Sequence, residues 1–128
     1  MTAPATDPDA TAYVAAVLAF YLDLPDTPLR ASMQDQGHAR RLLERAVPLR
    51  TVESALLLAS LRRLMRPADV PPLPPIRSLA YFLPVIDELL AHPAPDEYCG
   101  YLRLKLRQAV CQAEMPAKVQ KSTFSDDR

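Results

Sequence analysis

The chain has 128 residues, with 15 basic and 15 acidic side chains, 14 prolines, two glycines, two cysteines and no tryptophan. This length suits one domain with its own core, and the ordinary apolar and charged fractions exclude wholesale disorder. No apolar run is long enough to span a bilayer, so no membrane partner is expected. The first ten residues carry acids and neither Lys nor Arg, which argues against a signal or transit peptide and predicts a cytoplasmic protein.

The neutral total hides a strong segmentation of charge. Residues 1–29 sum to −4, residues 30–66 to +5, residues 67–98 to −4 and residues 99–128 to +3. The chain is therefore a series of alternating acidic and basic blocks. Arginine supplies 12 of the 15 basic side chains, although a GC-rich genome would produce the same bias.

The first part of the chain predicts two helices. Residues 1–10 are expected to form a short disordered leader. In residues 11–23 apolar side chains recur every three or four positions, which predicts an amphipathic helix, and the two prolines that follow end it. Ser32, with Asp35 three residues later, resembles a capping box and predicts a second helix that ends near Ala46.

The middle of the chain predicts a buried helix and a proline-rich connection. Pro48 suits the start of a third helix, which we expect to reach about Met65. Residues 55–61 are apolar on nearly all sides, as in a central helix. Residues 67–75 (PADVPPLPP) predict an extended strap, either packed on the helices as a rigid connection or available as a ligand for proline-binding domains.

The last part predicts two more helical stretches. Ser78 caps the fourth, and Pro84 inside it predicts a kink or two short helices. Pro95 and the two acids after it predict the start of a fifth helix, which ends near Glu114. Residues 115–128 are expected to be a flexible tail.

These elements define the predicted fold class. No strand pattern persists along the sequence, so the fold is all-α. We expect a single compact domain of about five helices over residues 11–114, with proline-rich connections.

The residues that usually carry catalysis or metal binding are scarce. Cys99 and Cys111 are 12 residues apart on one predicted helix, hence about 18 Å apart and beyond disulfide reach; both are expected to be buried. His38 and His92 lie on different elements without metal-ligand spacing, and two glycines form no phosphate-binding loop. The sequence predicts no enzyme, no cofactor, no metal site and no small-molecule substrate.

Residues 42–56 have the helix–turn–helix arrangement of some DNA-binding proteins, with residues 49–60 as the recognition helix. Two features oppose that interpretation. Arg41 and Arg45 stand where the motif usually buries small or apolar residues, and the recognition helix would be too apolar to face a groove. An ordinary helical hairpin is the alternative.

The basic block carries the candidate binding residues. Helices two and three are expected to pack antiparallel, which would place arginine clusters at the two ends of a hairpin. Each cluster could bind a phosphate or an acidic protein surface; the alternative is a solvated face with local partners. The candidates for binding nucleic acid or a partner are Arg40, Arg41, Arg45, Arg50, Arg62, Arg63 and Arg66.

The order of these segments also resembles a known family. The run ARRLLERAVPLRTVESALLLASLRRL, followed by IRSLAYFLPVIDELL, is similar to the helical domain of DnaD-like primosomal and phage or plasmid replication proteins. The resemblance covers about residues 35–90 and implies a small helical scaffold that oligomerises and binds DNA. The positions that match the second part of the family pattern are Ile76, Ser78, Tyr81, Phe82, Ile86 and Glu88.

Two functions are therefore expected. The first is a small, non-enzymatic accessory protein of bacterial DNA replication or mobile elements, which binds DNA phosphates or a protein partner through the arginine-rich hairpin. The second is a protein-interaction module, a small subunit or adaptor, without nucleic-acid contact. A protein partner or a homo-oligomer is expected in either case.

Overall fold

The computed structural model describes residues 8–67, 69–71 and 73–127, and side chains between residues 9 and 112 of these. Five α-helices and one 3-10 helix follow one another, and no strand occurs in this part of the chain. The predicted all-α class with a single domain is confirmed. The elements are α1 (Pro8–Leu22), α2 (Met33–Glu44), α3 (Leu49–Leu64), the 3-10 helix (Leu79–Phe82), α4 (Leu83–Ala91) and α5 (Tyr98–Asp127).

Helix α3 is the centre of the fold, as its apolar sequence predicts. It packs against α1, α4, α5 and the 3-10 helix. Val52, Ala55 and Leu56 are completely buried within it. Each large apolar side chain removed from water contributes about 1.5–3 kcal/mol, so this helix supplies much of the core.

The predicted start of α2 is confirmed and also has a long-range role. The Ser32 side chain accepts from the backbone N–H of Asp35, and the Asp35 carboxylate accepts from the backbone N–H of Ser32. The second carboxylate oxygen of Asp35 accepts from the backbone N–H of Leu79 at 2.9 Å. Asp35 is only 1% exposed, so one buried carboxylate joins the start of α2 to the 3-10 helix.

The prediction that helices two and three pack antiparallel is wrong. Helix α2 packs on α1 and on the 3-10 helix rather than along α3. Ala46 takes up a left-handed conformation with φ of 59° after α2, and the backbone N–H of Val47 bonds to the carbonyl of Leu42. This closure is a common end of helices. After it the chain turns, and α3 packs against α1, α4 and α5 instead of lying along α2.

Proline has the predicted effect in the fourth helical stretch. The 3-10 helix ends at Phe82, and α4 begins at Leu83 with Pro84 in its first turn. Pro84 therefore separates two short helices, because a proline has no N–H for the turn before it.

Two predicted boundaries differ from the structure. Of the predicted leader 1–10, residues 1–7 lie outside the described residues, whereas Pro8–Ala10 form the first turn of α1. A proline in the first turn costs no helical hydrogen bond, which explains this earlier start. Helix α5 continues to Asp127 instead of ending near Glu114, so Pro116 does not end it.

Candidate interaction surfaces

Six of the seven predicted arginines contact other groups within the described residues. Four of them make ion pairs with carboxylates of other segments: Arg45 with Asp87, Arg50 with Asp96, Arg62 with Glu88 and Arg63 with Asp26. Arg66 donates to the carbonyl of Pro71 at 3.0 Å, and Arg41 contacts the His38 ring at 3.1 Å. Arg40 is exposed and makes no hydrogen bond or ion pair within the described residues.

The pair between Arg62 and Glu88 is bidentate. The two guanidinium nitrogens donate to the two carboxylate oxygens at 3.0 and 2.7 Å. This geometry is the strongest available to a guanidinium and a carboxylate. The hydrogen bond from Arg62 lowers the pKa of Glu88 below its ordinary value, and the bond to Glu88 raises the pKa of Arg62. Arg62 therefore joins α3 to α4. The two guanidinium nitrogens that could bind a phosphate oxygen already donate to Glu88.

Arg63 holds three segments together. Its guanidinium donates to the Asp26 carboxylate at 3.2 Å and to the carbonyl of Pro74 at 3.0 Å. It also lies 5.4 Å from the centre of the Tyr81 ring, within the range of a cation–π contact. Only 8% of this side chain is exposed, so Arg63 is a structural residue rather than an accessible cation.

The proline strap lies along this end of α3. Arg63 and Arg66 donate to its carbonyls, the backbone N–H of Ile76 bonds to the carbonyl of Asp26 at 2.9 Å, and the Ile76 side chain is buried. The described part of the strap is thus packed on the helices. Of the two alternatives for residues 67–75, this arrangement favours a rigid connection packed on the helices over a ligand for proline-binding domains.

An open groove lies between the end of α1, the middle of α3 and the first half of α5. We call it the α1–α3–α5 groove; its volume is about 330 Å³. The apolar part of its lining, which we call the floor, includes Leu57 of α3 at 7% exposure and the partly buried Phe20 and Val110. Arg103 of α5 also lines the groove and makes an ion pair with Glu53. The lining residues are Phe20, Asp23, Leu24, Pro25, Glu53, Leu56, Leu57, Arg103, Leu106, Arg107, Val110 and Cys111.

The rims of this groove carry opposite charges. Asp23 stands on the α1 side and Arg107 on the α5 side, and neither has a partner within the described residues. Phe20 and Val110 are partly buried and pack against the core. The groove therefore offers an apolar floor between an available acid and an available base, which is a common form of binding site for protein side chains.

Sequence reasoning missed this groove. Its walls come from residues 20–25, 53–57 and 103–111, and no local pattern brings these three segments together. One signal was present in the sequence. Arg107 is charged and Val110, about one helical turn later, is apolar, so the two residues lie at the edge of the buried face of α5.

The two cysteines differ in environment. Cys99 is buried, as predicted, and its burial raises the pKa of its thiol. The prediction that Cys111 is buried is wrong: Cys111 is exposed on the side of α5 that borders the groove. No cluster of three His, Cys, Asp or Glu residues suited to a metal ion is found among the described residues, and no helix there combines the length and apolarity needed to cross a membrane.

Comparison with protein-family models, with curated proteins and with solved structures gives no significant match. The surfaces above therefore stand on their own geometry.

Proposed function

We propose that this protein is a non-enzymatic, cytoplasmic interaction module that binds a protein partner through the α1–α3–α5 groove. The groove itself carries the proposal: it is open, has an apolar floor, and has on opposite rims an acid and a base that make no pair within the described residues. A partner segment with a large apolar side chain would fill the floor. Its flanking charged residues would meet Asp23 and Arg107.

The disposition of the arginines supports this choice over phosphate binding by the hairpin. Arg45, Arg50, Arg62 and Arg63 already contact carboxylates. A phosphate would have to compete with these carboxylates for the guanidinium groups, and the Arg63 side chain is in addition only 8% exposed.

Selection from a random peptide library against the full chain tests this function. We expect peptides with a large apolar residue that bind the wild type and lose affinity for Phe20→Asp, which places a charge on the groove wall. Leu29→Asp is the matched control, because Leu29 is 96% exposed and lies outside the groove. Peptides that bind Phe20→Asp as well as wild type would contradict the proposal, provided that circular dichroism shows both variants folded.

A second candidate function is the binding of nucleic-acid phosphates, as in the accessory role in bacterial replication or mobile elements that the DnaD-like resemblance implies. One observation favours it. Arg30, Arg40 and Arg77 are exposed without partners in the described part of the chain, and Arg41 contacts only His38. Because Asp35 bonds to the backbone of both Ser32 and Leu79, Arg30 and Arg77 flank the same end of α2.

Salt-dependent DNA binding tests this second candidate. A double variant Arg40→Gln/Arg41→Gln should weaken binding and reduce the slope of log affinity against log salt by up to about two. Arg62→Gln, whose guanidinium is held by Glu88, is the control and should leave the slope unchanged. Undetectable binding of wild type to short duplex and single-stranded DNA at low salt would exclude this candidate.

A further inference from the structure

Helix α5 exposes a second apolar surface on the side away from α3. Cys99, Leu102 and Leu106 face the core. Residues 3 or 4 apart on a helix lie on one face, and Tyr101, Leu104 and Gln108 follow this spacing on the opposite side. We call these three residues the outer face of α5. Tyr101 is 55% exposed and Leu104 is 50% exposed.

The aromatic part of this face is already ordered. The rings of Tyr98 and Tyr101 stack with centroids 6.2 Å apart and an angle of 19° between their planes. A side chain held in place before binding loses less conformational entropy when a partner covers it. Tyr101 and Leu104 therefore form a suitable centre for a contact.

Cations flank the outer face on both sides. With about 100° between successive residues of a helix, Arg107 lies beside one edge and Lys105 beside the other. Both are exposed and have no partner within the described residues. Residues 98–112 contain no Asp or Glu, so nothing on this part of α5 neutralises the two cations.

We propose that the outer face of α5 binds an acidic amphipathic helix of a partner protein. The apolar side chains of that helix would pack on Tyr101 and Leu104, while its carboxylates would meet Lys105 and Arg107. The basic flanks disfavour a second copy of this chain, because pairing two outer faces would bring Lys105 and Arg107 of both copies together. The apolar centre distinguishes the surface from a phosphate-binding face, where cations would be expected in the middle.

Two designed heptad peptides test this inference with the full chain. Both carry Leu at the a and d positions; one has Glu at the e and g positions and the other has Lys there. Fluorescence anisotropy should show binding of the acidic peptide, weakened by salt, and no comparable binding of the basic peptide. Leu104→Asp should weaken the acidic peptide by about tenfold or more, as for a central apolar contact.

A charge-reversal variant makes the test specific. Lys105→Glu, at a residue that does not line the groove, should weaken binding of the acidic peptide and strengthen binding of the basic one. Leu29→Asp is the control for an added surface charge and should bind the acidic peptide as wild type does. Phe20→Asp alters the groove only and should also leave this binding intact, so failure at the groove and failure at the outer face can be told apart.

Four results would overturn the inference. The acidic and basic peptides could bind wild type equally, or Leu104→Asp could bind the acidic peptide with unchanged affinity while circular dichroism shows it folded. Sedimentation could instead reveal self-association that Leu104→Asp abolishes, which would assign the face to a second copy. Duplex DNA that displaces the peptide and loses affinity only in the charge-reversal variant would assign it to nucleic acid.

Discussion

Two neighbouring arginines of α3 and two cations of α5 differ in what they contact, although both helices are rich in basic residues. Arg62 and Arg63 of α3 bond to carboxylates on other segments. Lys105 and Arg107 of α5 have no partner in the described part of the chain. The density of positive charge along a segment therefore does not show which of its cations are paired with carboxylates in the fold.

The alternating charge blocks of the sequence find an explanation in these contacts. The ion pairs of Arg45, Arg50, Arg62 and Arg63 each join the basic block 30–66 to an acidic block, either 1–29 or 67–98. The pair of Arg103 with Glu53 joins the last basic block to the one acidic position of α3. Single exposed pairs contribute little energy, but together they join basic and acidic blocks that lie far apart in the sequence.

The largest loss of stability is expected at Arg63, which has the most buried side chain of the paired arginines. Arg63→Met should lower the free energy of unfolding by about 2–3 kcal/mol. The substitution removes a buried guanidinium together with its hydrogen bonds to Asp26 and to the carbonyl of Pro74. Urea unfolding followed by circular dichroism measures this change.

The matched control for that prediction is Arg66→Met. Arg66 is exposed and donates one hydrogen bond, to the carbonyl of Pro71, so its loss should cost no more than about 1 kcal/mol. Equal losses for the two variants would mean that burial does not distinguish Arg63 from its neighbour.

Removing a buried polar group that has no hydrogen-bond partner should raise the free energy of unfolding rather than lower it. Tyr21 is completely buried, and its hydroxyl has no hydrogen-bond partner in the described part of the chain. Tyr21→Phe removes that hydroxyl and keeps the ring, which packs edge-on against Phe82 with centroids 6.0 Å apart. We expect the free energy of unfolding to rise by about 1 kcal/mol at neutral pH.

The same variant should change the alkaline pH dependence. Burial, with a further effect from Asp35, raises the pKa of Tyr21 from 10.0 to about 12. The stability linked to this raised pKa is fully present below pH 10.0 and is lost as the pH rises toward about 12. Tyr21→Phe should therefore lose less stability than wild type over this interval. Identical alkaline profiles for Tyr21→Phe and wild type would refute the assignment.

Local signals explain which parts of this fold the sequence predicts. The capping box of Ser32 and Asp35 and the break at Pro84 depend on residues a few positions apart. The central position of α3 follows from its nearly continuous apolar surface. Each of these features is complete within one segment, so composition and spacing are enough to predict it.

The ion pairs and the groove that define the candidate surfaces depend on contacts between distant segments. Arg45 and Asp87 are 42 residues apart, and Arg63 and Asp26 are 37 apart, so no spacing rule identifies these pairs. The direction of α3 after Ala46 decides which helices it meets, and the interpretation of residues 30–66 as a hairpin failed at this turn. The groove was missed for the same reason.

A smaller effect is expected for the exposed pair between α3 and α4. The lowered pKa of Glu88 means that its contribution to stability is present above its ordinary pKa of 4.5 and is lost as the pH falls through the lowered value. Glu88→Gln should therefore be slightly less stable than wild type at neutral pH and approach it in acid. Glu97→Gln, an exposed acid with no partner among the described residues, is the control, and a constant difference between Glu88→Gln and wild type from neutral to acid pH would contradict the prediction.

The smallest effect on stability should come from the unpaired cations, and this distinguishes them from the paired ones. Arg40→Gln and Lys105→Gln remove exposed charges that make no contact within the described residues, so their free energies of unfolding should stay within about 0.5 kcal/mol of wild type. Surface substitutions of this kind can still change the affinity for a partner, because a cation that folding leaves unpaired is available to one. Urea unfolding of both variants, beside Arg63→Met, measures the difference. A loss at Arg40 or Lys105 as large as that at Arg63 would mean that these cations also serve the fold, and the surface proposed on α5 would lose the availability of Lys105 on which it depends.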